Sequence, residues 1–279
     1  MSAPPLERVG ALRVRCYGEA GPRVVVLHGG PAASGSAAPI ARGLADRFRV
    51  LEPWQRGSGD ERLTVARHVD DLRQLLGLRA AGERPAIVGE SWGAMLALAF
   101  AAEHPELAGP LVLVGCGTFD PVARARLHRT LDERTDSALR GRLGRLAAEV
   151  PDPGERLWQW HRLTARLYSF DPVELTELPE EPFDLRAHEE SWADMLRLQE
   201  EGRYPAAFSA IRGPVLMLHG DHDPHPGEAI RDSLLPCLPQ LEYRELARCG
   251  HAPWTERLAG EEFFAELRGW LERNPGGPG

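Results

Sequence analysis

The sequence predicts an α/β protein, with a mostly parallel sheet flanked by helices and a helical segment inserted late in the chain. Three observations lead there. Short apolar runs at 24–27, 86–88, 111–114 and 214–218, and a last strand-like stretch at 241–246, each lead toward a turn, most of them carrying glycine. Stretches with helical spacing lie between them, as crossovers between parallel strands require. From 119 to 212 the apolar runs stop, and arginine-rich helical stretches take over at 121–149, 154–169 and 184–201, broken by Pro151, Pro153, Pro172, Pro179 and Pro182. A core of 1–118 and 213–279 is therefore expected, with a helical cap at 119–212 inserted after the sixth core strand.

The elements follow in order. Residues 9–17 suggest an edge hairpin, and 24–27 a central strand, followed by a helix over about 38–48. Val69, Leu72, Leu75 and Leu76 mark one face of a crossover helix. Beyond Gly93, Met95, Leu98, Ala99 and Ala102 fall at helical spacing, and Pro105 stops that helix because proline disfavours helix at the residue before it. A last helix at 261–271 carries Phe263, Phe264, Leu267, Trp270 and Leu271 on one face. The Gly/Pro-rich tail 274–279 is expected to be disordered.

Composition narrows the function. At 279 residues the chain suits one such domain with an insertion. A net charge of −8 argues against a partner bound through nucleic-acid phosphates. All 33 basic residues are arginine, which excludes a lysine Schiff base and a P-loop lysine. Cys16, Cys116, Cys237 and Cys249 form no C-x-x-C pair and no disulfide framework. The N-terminus lacks a basic region with an apolar core, and no apolar run approaches transmembrane length. A cytoplasmic, soluble protein with no membrane partner is the expectation.

The most informative motif is Gly89-Glu90-Ser91-Trp92-Gly93, a G-x-S-x-G between a strand-like run and a small-residue helix. A serine on a sharp strand-to-helix turn stands clear of its neighbours, and the glycines permit the close backbone approach of that turn. Ser91 is the expected nucleophile; the competing reading is a helix-capping serine without chemistry. Acyl transfer also needs two N–H donors for the developing oxyanion. Trp92, after the nucleophile, would supply one, and Gly30 in the His28-Gly29-Gly30-Pro31 turn the other. His28 is expected to hold that loop rather than to react.

The acid and base should follow in that order. After the strand at 214–218 comes His219-Gly220-Asp221-His222-Asp223-Pro224-His225. Asp223, three residues past the glycine, is favoured over Asp221 as the acid, and His251 after Gly250 is the expected general base. The dense histidines of 219–225 could suggest a metal, but their spacing matches no familiar zinc motif and two prolines stiffen the loop. No metal and no cofactor is expected, and His222 and His225 read as solvated loop residues. Cys249 reads as a small packing residue.

Together these motifs resemble the α/β-hydrolase superfamily and, within it, the proline iminopeptidase group. The residues that carry the resemblance are His28 to Pro31, Gln55-Arg56-Gly57-Ser58-Gly59, Gly89 to Gly93, the Gly220-to-Asp223 turn and Gly250-His251. It spans about 20–117 and 213–272, and implies a Ser–His–Asp hydrolase. There are departures from the group: Ala32 replaces a glycine after the proline, Trp54 an aspartate before Gln55, and Glu90 a glycine before the nucleophile. Family aminopeptidases hold the substrate's amine with cap carboxylates. Glu174, Glu177, Glu180, Glu181, Glu189 and Glu190 are available, with nothing to choose among them.

Glu90 could bind a cationic group or perturb His251, but pairing with one of the many arginines is favoured. Trp54, Trp158, Trp160, Trp192 and Trp254 are candidates, with Glu90, for the substrate pocket; packing between cap and core is the alternative for each tryptophan. The expected partner is a small molecule or short peptide with an apolar acyl group. The expected function is hydrolysis of a carboxylic ester or amide through an acyl-enzyme. An iminopeptidase-like aminopeptidase and a non-catalytic or slow ligand receptor on the same fold remain as alternatives.

Overall fold

The structure is a computed structural model that describes residues 4–173, 181 and 183–278. The strands are β1 (Glu7–Val9), β2 (Leu12–Tyr17), β3 (Arg23–Leu27), β4 (Arg49–Trp54), β5 (Glu83–Arg84), β6 (Ala86–Glu90), β7 (Leu111–Val114), β8 (Val215–Gly220), β9 (Leu241–Leu246) and β10 (Gly277–Pro278). The helices are α1 (Ala38–Leu44), α2 (Val65–Arg79), α3 (Trp92–Glu103), α4 (Pro121–Arg134), α5 (Ser137–Glu149), α6 (Pro153–Thr164), α7 (Leu185–Glu200), α8 (Gly227–Leu234) and α9 (Gly260–Arg273).

Eight strands form one sheet in the order β1-β2-β4-β3-β6-β7-β8-β9. Only the β1–β2 and β2–β4 pairs are antiparallel; from β4 to β9 every pairing is parallel. The central strands read as unbroken apolar runs because both of their faces are covered. Alternate residues split between the two layers. Val25, Leu27, Ile87, Leu111, Leu113, Val215 and Met217 pack with α2 and α3. Val24, Val26, Val88, Val112, Val114, Leu216 and Leu218 pack with α1 and α9. Helix α3 is buried from Trp92 to Ala101, which explains why it lacks a polar face.

The helices at 121–164 and 185–200 occupy the connection between β7 and β8, after the sixth strand of the main sheet. The stretch 121–149 divides into α4 and α5. Asp120, Asp136, Asp152 and Asp184 cap α4, α5, α6 and α7, each accepting a backbone N–H three residues on. Helix α7 then docks on the core through its own carboxylates. Glu190 accepts from Leu63 N–H and Asp194 from Val65 N–H, both at 2.8 Å, at the N-terminus of α2 where backbone donors lack helical partners. His68 meets Ser191 at 2.8 Å beside them.

Two expectations need correction. The helix expected over 38–48 ends at Leu44, because the chain turns to bury Phe48 before Arg49 pairs with Arg23. The tail is not disordered through 278: Gly277–Pro278 pairs antiparallel with Glu83–Arg84. Gly276 allows this, since a Cβ there would lie 2.4 Å from the Arg84 carbonyl oxygen. No helix among the described residues is long and apolar enough to cross a membrane.

Two buried histidines should make the fold acid-sensitive. Burial pushes His28 and His68 down from 6.5 to about 4. The unfolded chain takes up these protons below its ordinary histidine value, while the folded chain resists until about 4. Their stabilising contribution is complete above 6.5 and is lost as pH falls toward 4. Urea midpoints measured across this window should decline with acid, and less steeply in His68→Gln.

Candidate active site

Ser91 lies between β6 and α3 with φ 53° and ψ −114°, a left-handed conformation that costs an L-residue energy. Its N–H donates to the Val114 carbonyl at 2.8 Å, tying the turn to the end of β7. The flanking glycines are steric requirements. A Cβ on Gly89 would lie 2.3 Å from the Gly93 carbonyl oxygen, and one on Gly93 would lie 2.4 Å from that of Leu27. The serine side chain makes no capping bond to α3, so the capping reading does not account for it.

The loop after β3 is built around His28, which is fully buried. Its Nε2 accepts from Gln55 N–H at 2.9 Å, so its proton sits on Nδ1 and is donated to the Gly29 carbonyl at 2.9 Å. His28 is thus structural, as expected. Glu90 holds the same loop, accepting from Gly29 N–H at 2.8 Å and from the Ser36 hydroxyl. Gly30 follows with φ 111°. Gln55 joins the two proposed sides of an oxyanion site: its amide donates to the His28 carbonyl at 2.8 Å, and its oxygen accepts from Trp92 Nε1 at 2.7 Å. As the first residue of α3, Trp92 has a backbone N–H without a partner inside the helix.

The turn after β8 brings Asp223, not Asp221, to His251: Nδ1 of His251 lies 2.7 Å from Asp223 Oδ2. Asp221 instead accepts from Cys249 N–H at 3.1 Å. Burial opposes the Asp223 charge, but His251, His225 and His219 outweigh it and hold the carboxyl well below its usual range. Burial likewise opposes charge on His251, yet Asp223, with Glu90 as a smaller contributor, raises it above the ordinary imidazole value. The ring rests on Gly115, where a Cβ would lie 3.0 Å from Nδ1. This arrangement sets a serine on a strained turn, an imidazole oriented by a buried carboxylate, and backbone N–H groups at the start of α3.

Residues 22–254 match the alpha/beta hydrolase fold family. The chain belongs to that family. A pimeloyl-[acyl-carrier protein] methyl ester esterase of Nitrosomonas europaea is 25% identical over 245 residues, covering 84% of this chain and 90% of the relative. A proline iminopeptidase of Lactobacillus helveticus is 24% identical over 283 residues, covering 91% and 90%. Among solved structures, VinJ superposes with a TM-score of 0.69 at 22% identity, covering 98% of this chain and 99% of that one. The two sequence relatives are named as an esterase and an iminopeptidase, and this α/β-hydrolase resembles the iminopeptidases at low identity.

Several side chains of this α/β-hydrolase differ from the sequence expectation. Glu90 has no arginine partner among the described residues; its carboxylate accepts from Gly29 N–H and the Ser36 hydroxyl and so supports the loop after β3. Trp54 is 2% exposed and packs under the guanidinium groups of Arg13 and Arg15 at 4.8 and 4.9 Å. Trp254 packs against Phe263 of α9 at 6.1 Å. Trp192 reaches the centre, meeting Trp92 edge-on at 6.3 Å, while Trp158 and Trp160 are half-buried on α6. His225 is not solvated: its Nδ1 lies 2.9 Å from Asp223 Oδ1, and its side chain is 13% exposed. His222 is half-buried, edge-on to Phe170. Asp223, His225 and His251 place potential metal-ligand atoms within 4.8 Å of one another. A metal bound at both Nδ1 atoms would displace the two protons that now bond the carboxylate.

The sequence reading missed Glu256. This carboxylate is 3% exposed and accepts from Phe170 N–H at 2.8 Å, Asp171 N–H at 2.7 Å and Gly250 N–H at 3.0 Å. His251 N–H donates to the Tyr168 carbonyl at 2.7 Å. Residues 168–171, at the far end of α6, are thereby clamped onto the loop that carries His251. Gly250 is required there, because a Cβ would lie 2.2 Å from the Tyr168 carbonyl oxygen. Glu256→Ala strands three backbone donors, at about 1–3 kcal/mol each. Hydrogen exchange at Phe170, Asp171 and Gly250 should rise and the melting temperature should fall, with Glu256→Gln intermediate.

Proposed function

We propose that this α/β-hydrolase is a serine hydrolase that cleaves a carboxylic ester or amide through an acyl-enzyme. The 2.7 Å contact of His251 Nδ1 with the buried Asp223, downstream of a serine held at positive φ, is the observation that carries the reading. Ser91 Oγ attacks the substrate carbonyl while His251 Nε2 takes its proton. Asp223 fixes the tautomer and stabilises the imidazolium. The N–H groups of Gly30 and Trp92 receive the oxyanion, on a frame that His28, Gln55 and Glu90 hold rigid. His251 then protonates the leaving group. Water, deprotonated by the same imidazole, attacks the ester carbonyl of the acyl-enzyme and releases the acid and Ser91.

The insertion at 119–212 serves as a cap, with Trp192 beside Trp92 forming part of an apolar wall. An acyl group of apolar character suits that wall. The aminopeptidase reading requires an uncommitted carboxylate for the substrate amine. Among the described residues of the insertion, Glu181 is bound to Arg13, Glu190 to Leu63 and Arg186, and Asp194 to Val65 and Arg197; Glu189 is exposed. Glu174, Glu177 and Glu180 lie outside the described residues. These commitments take Glu181, Glu190 and Asp194 away from a substrate amine, and Glu189 is the described candidate left for that role. The relatives support both readings: one is named as a pimeloyl methyl ester esterase and another as a proline iminopeptidase.

Wild type and Ser91→Ala should be compared on p-nitrophenyl acyl esters and on amino-acyl p-nitroanilides, including prolyl. Ester cleavage that falls at least about 10⁴-fold in Ser91→Ala, with the fold intact, is the expected result. Ser91-dependent cleavage of the amino-acyl anilides alone would establish the aminopeptidase instead, and turnover that survives Ser91→Ala would refute both. Turnover needs neutral His251, whose proton affinity is raised, so kcat/KM should fall as pH drops through a value above 6.5. Asp223→Asn should move that acid limb to lower pH and reduce kcat by about 10⁴-fold.

A further inference from the structure

The acid of this site carries two histidines. His251 meets Asp223 Oδ2 through Nδ1 at 2.7 Å, while His225 meets Oδ1 through Nδ1 at 2.9 Å and again through its backbone N–H at 2.9 Å. An ionised carboxylate only accepts, so both Nδ1 atoms bear protons. The two imidazoles stack with centroids 4.6 Å apart and planes 20° from parallel. We propose that His225 is a positioning residue for the hydrolase reaction: it shares the triad acid with His251, holds that carboxylate in register and limits its pull on the His251 proton. This inference rests on the serine-hydrolase reading above.

The surroundings explain why the two rings behave differently. His219 Nε2 lies 3.3 Å from Asp223 Oδ2 and 2.9 Å from the His225 carbonyl oxygen, closing the pair from β8. Tyr168 covers both rings from the insertion, at 6.0 Å from His225 and 5.7 Å from His251. Arg134 of α4 and His222 also feel the Asp223 charge, and Glu90 acts on His251 from β6. One carboxylate cannot balance two stacked imidazolium rings, so the pair accommodates one proton. Burial pushes His225 down, whereas Asp223 and Glu90 raise His251 against burial, so the catalytic proton resides on His251. His225 remains neutral and contributes an N–H dipole to the carboxylate. Pro224 and Pro226 on either side restrict the backbone that presents it.

The test compares wild type, His225→Phe and His225→Asn, with folding checked by circular dichroism. Phenylalanine keeps a flat ring but removes the N–H; asparagine restores an N–H donor that cannot titrate. His225→Phe should lose about tenfold or more in kcat, in line with one charge-assisted hydrogen bond, with KM changed by less than about twofold. Its acid limb should move to higher pH by about half a unit or more, because Asp223 then acts on His251 alone. His225→Asn should recover most of kcat and return the limb toward wild type. A role in packing alone would lower kcat or stability without moving the limb, and would overturn the proposal.

A second readout needs no turnover. Low-field proton NMR of wild type should show two carboxylate-bound imidazole protons, and each variant should show one. Only one such proton in wild type, or an unchanged kcat and acid limb in His225→Phe, also overturns the sharing. If His225→Phe does not fold, His225→Asn alone decides the assignment of the second proton. A wild type that shows both protons but no Ser91-dependent hydrolysis would sink the hydrolase reading and, with it, any catalytic role for His225.

Discussion

The close approach of α3 to the middle of the sheet is the constraint on which the rest of the site depends. Helix α3 begins directly after β6, and its second residue, Gly93, lies against the carbonyl oxygens of Leu27 and His28. Ser91, at the turn between β6 and α3, takes positive φ, and the close contact at Gly93 sets the end of β3 against the start of the helix. The apolar burial of α3 from Trp92 to Ala101 holds the strained residue in place. The positions of Ser91, of the Trp92 N–H and of the loop carrying Gly30 are thus set by backbone packing.

A second theme is the use of buried carboxylates as acceptors for backbone N–H groups. Glu90 holds Gly29, Glu256 holds Phe170, Asp171 and Gly250, and Asp194 holds Val65. Loops carry backbone donors that cannot all be satisfied by sheet or helix, and leaving them unpaired in a dry interior is costly. An ionised oxygen satisfies several at once and gains from the charge-assisted bond. In this α/β-hydrolase the device joins segments distant in sequence: β6 to the loop after β3, the final loop to the end of α6, and α7 to the start of α2. The position of the insertion and that of the loop carrying His251 are therefore mechanically linked.

The histidines show how far environment divides one residue type. His28 is a buried neutral ring with both nitrogens committed to the backbone. His251 is raised by Asp223, and His225, stacked on it, is lowered by burial. None of these states follows from residue identity. Each follows from which side chains converge on it and how much water is excluded.

By itself the sequence determined the alternation of strands and helices, the G-x-S-x-G turn, the order of Ser91, Asp223 and His251, and the place of the insertion. These are local signals: apolar runs buried on both faces, glycines where a Cβ cannot fit, and apolar residues at helical spacing. Only the tertiary structure decided the contacts between distant segments. It showed that Glu90 serves the loop after β3 rather than an arginine, that Trp54 lies under Arg13 and Arg15, and that the tail pairs with Glu83–Arg84. It also brought in Gln55, Gly115, Glu256 and His225. A charged or polar side chain can reach partners many residues away, and no periodicity in the chain records which one it meets. Local pattern fixes the elements; long-range packing selects the partners of their polar groups.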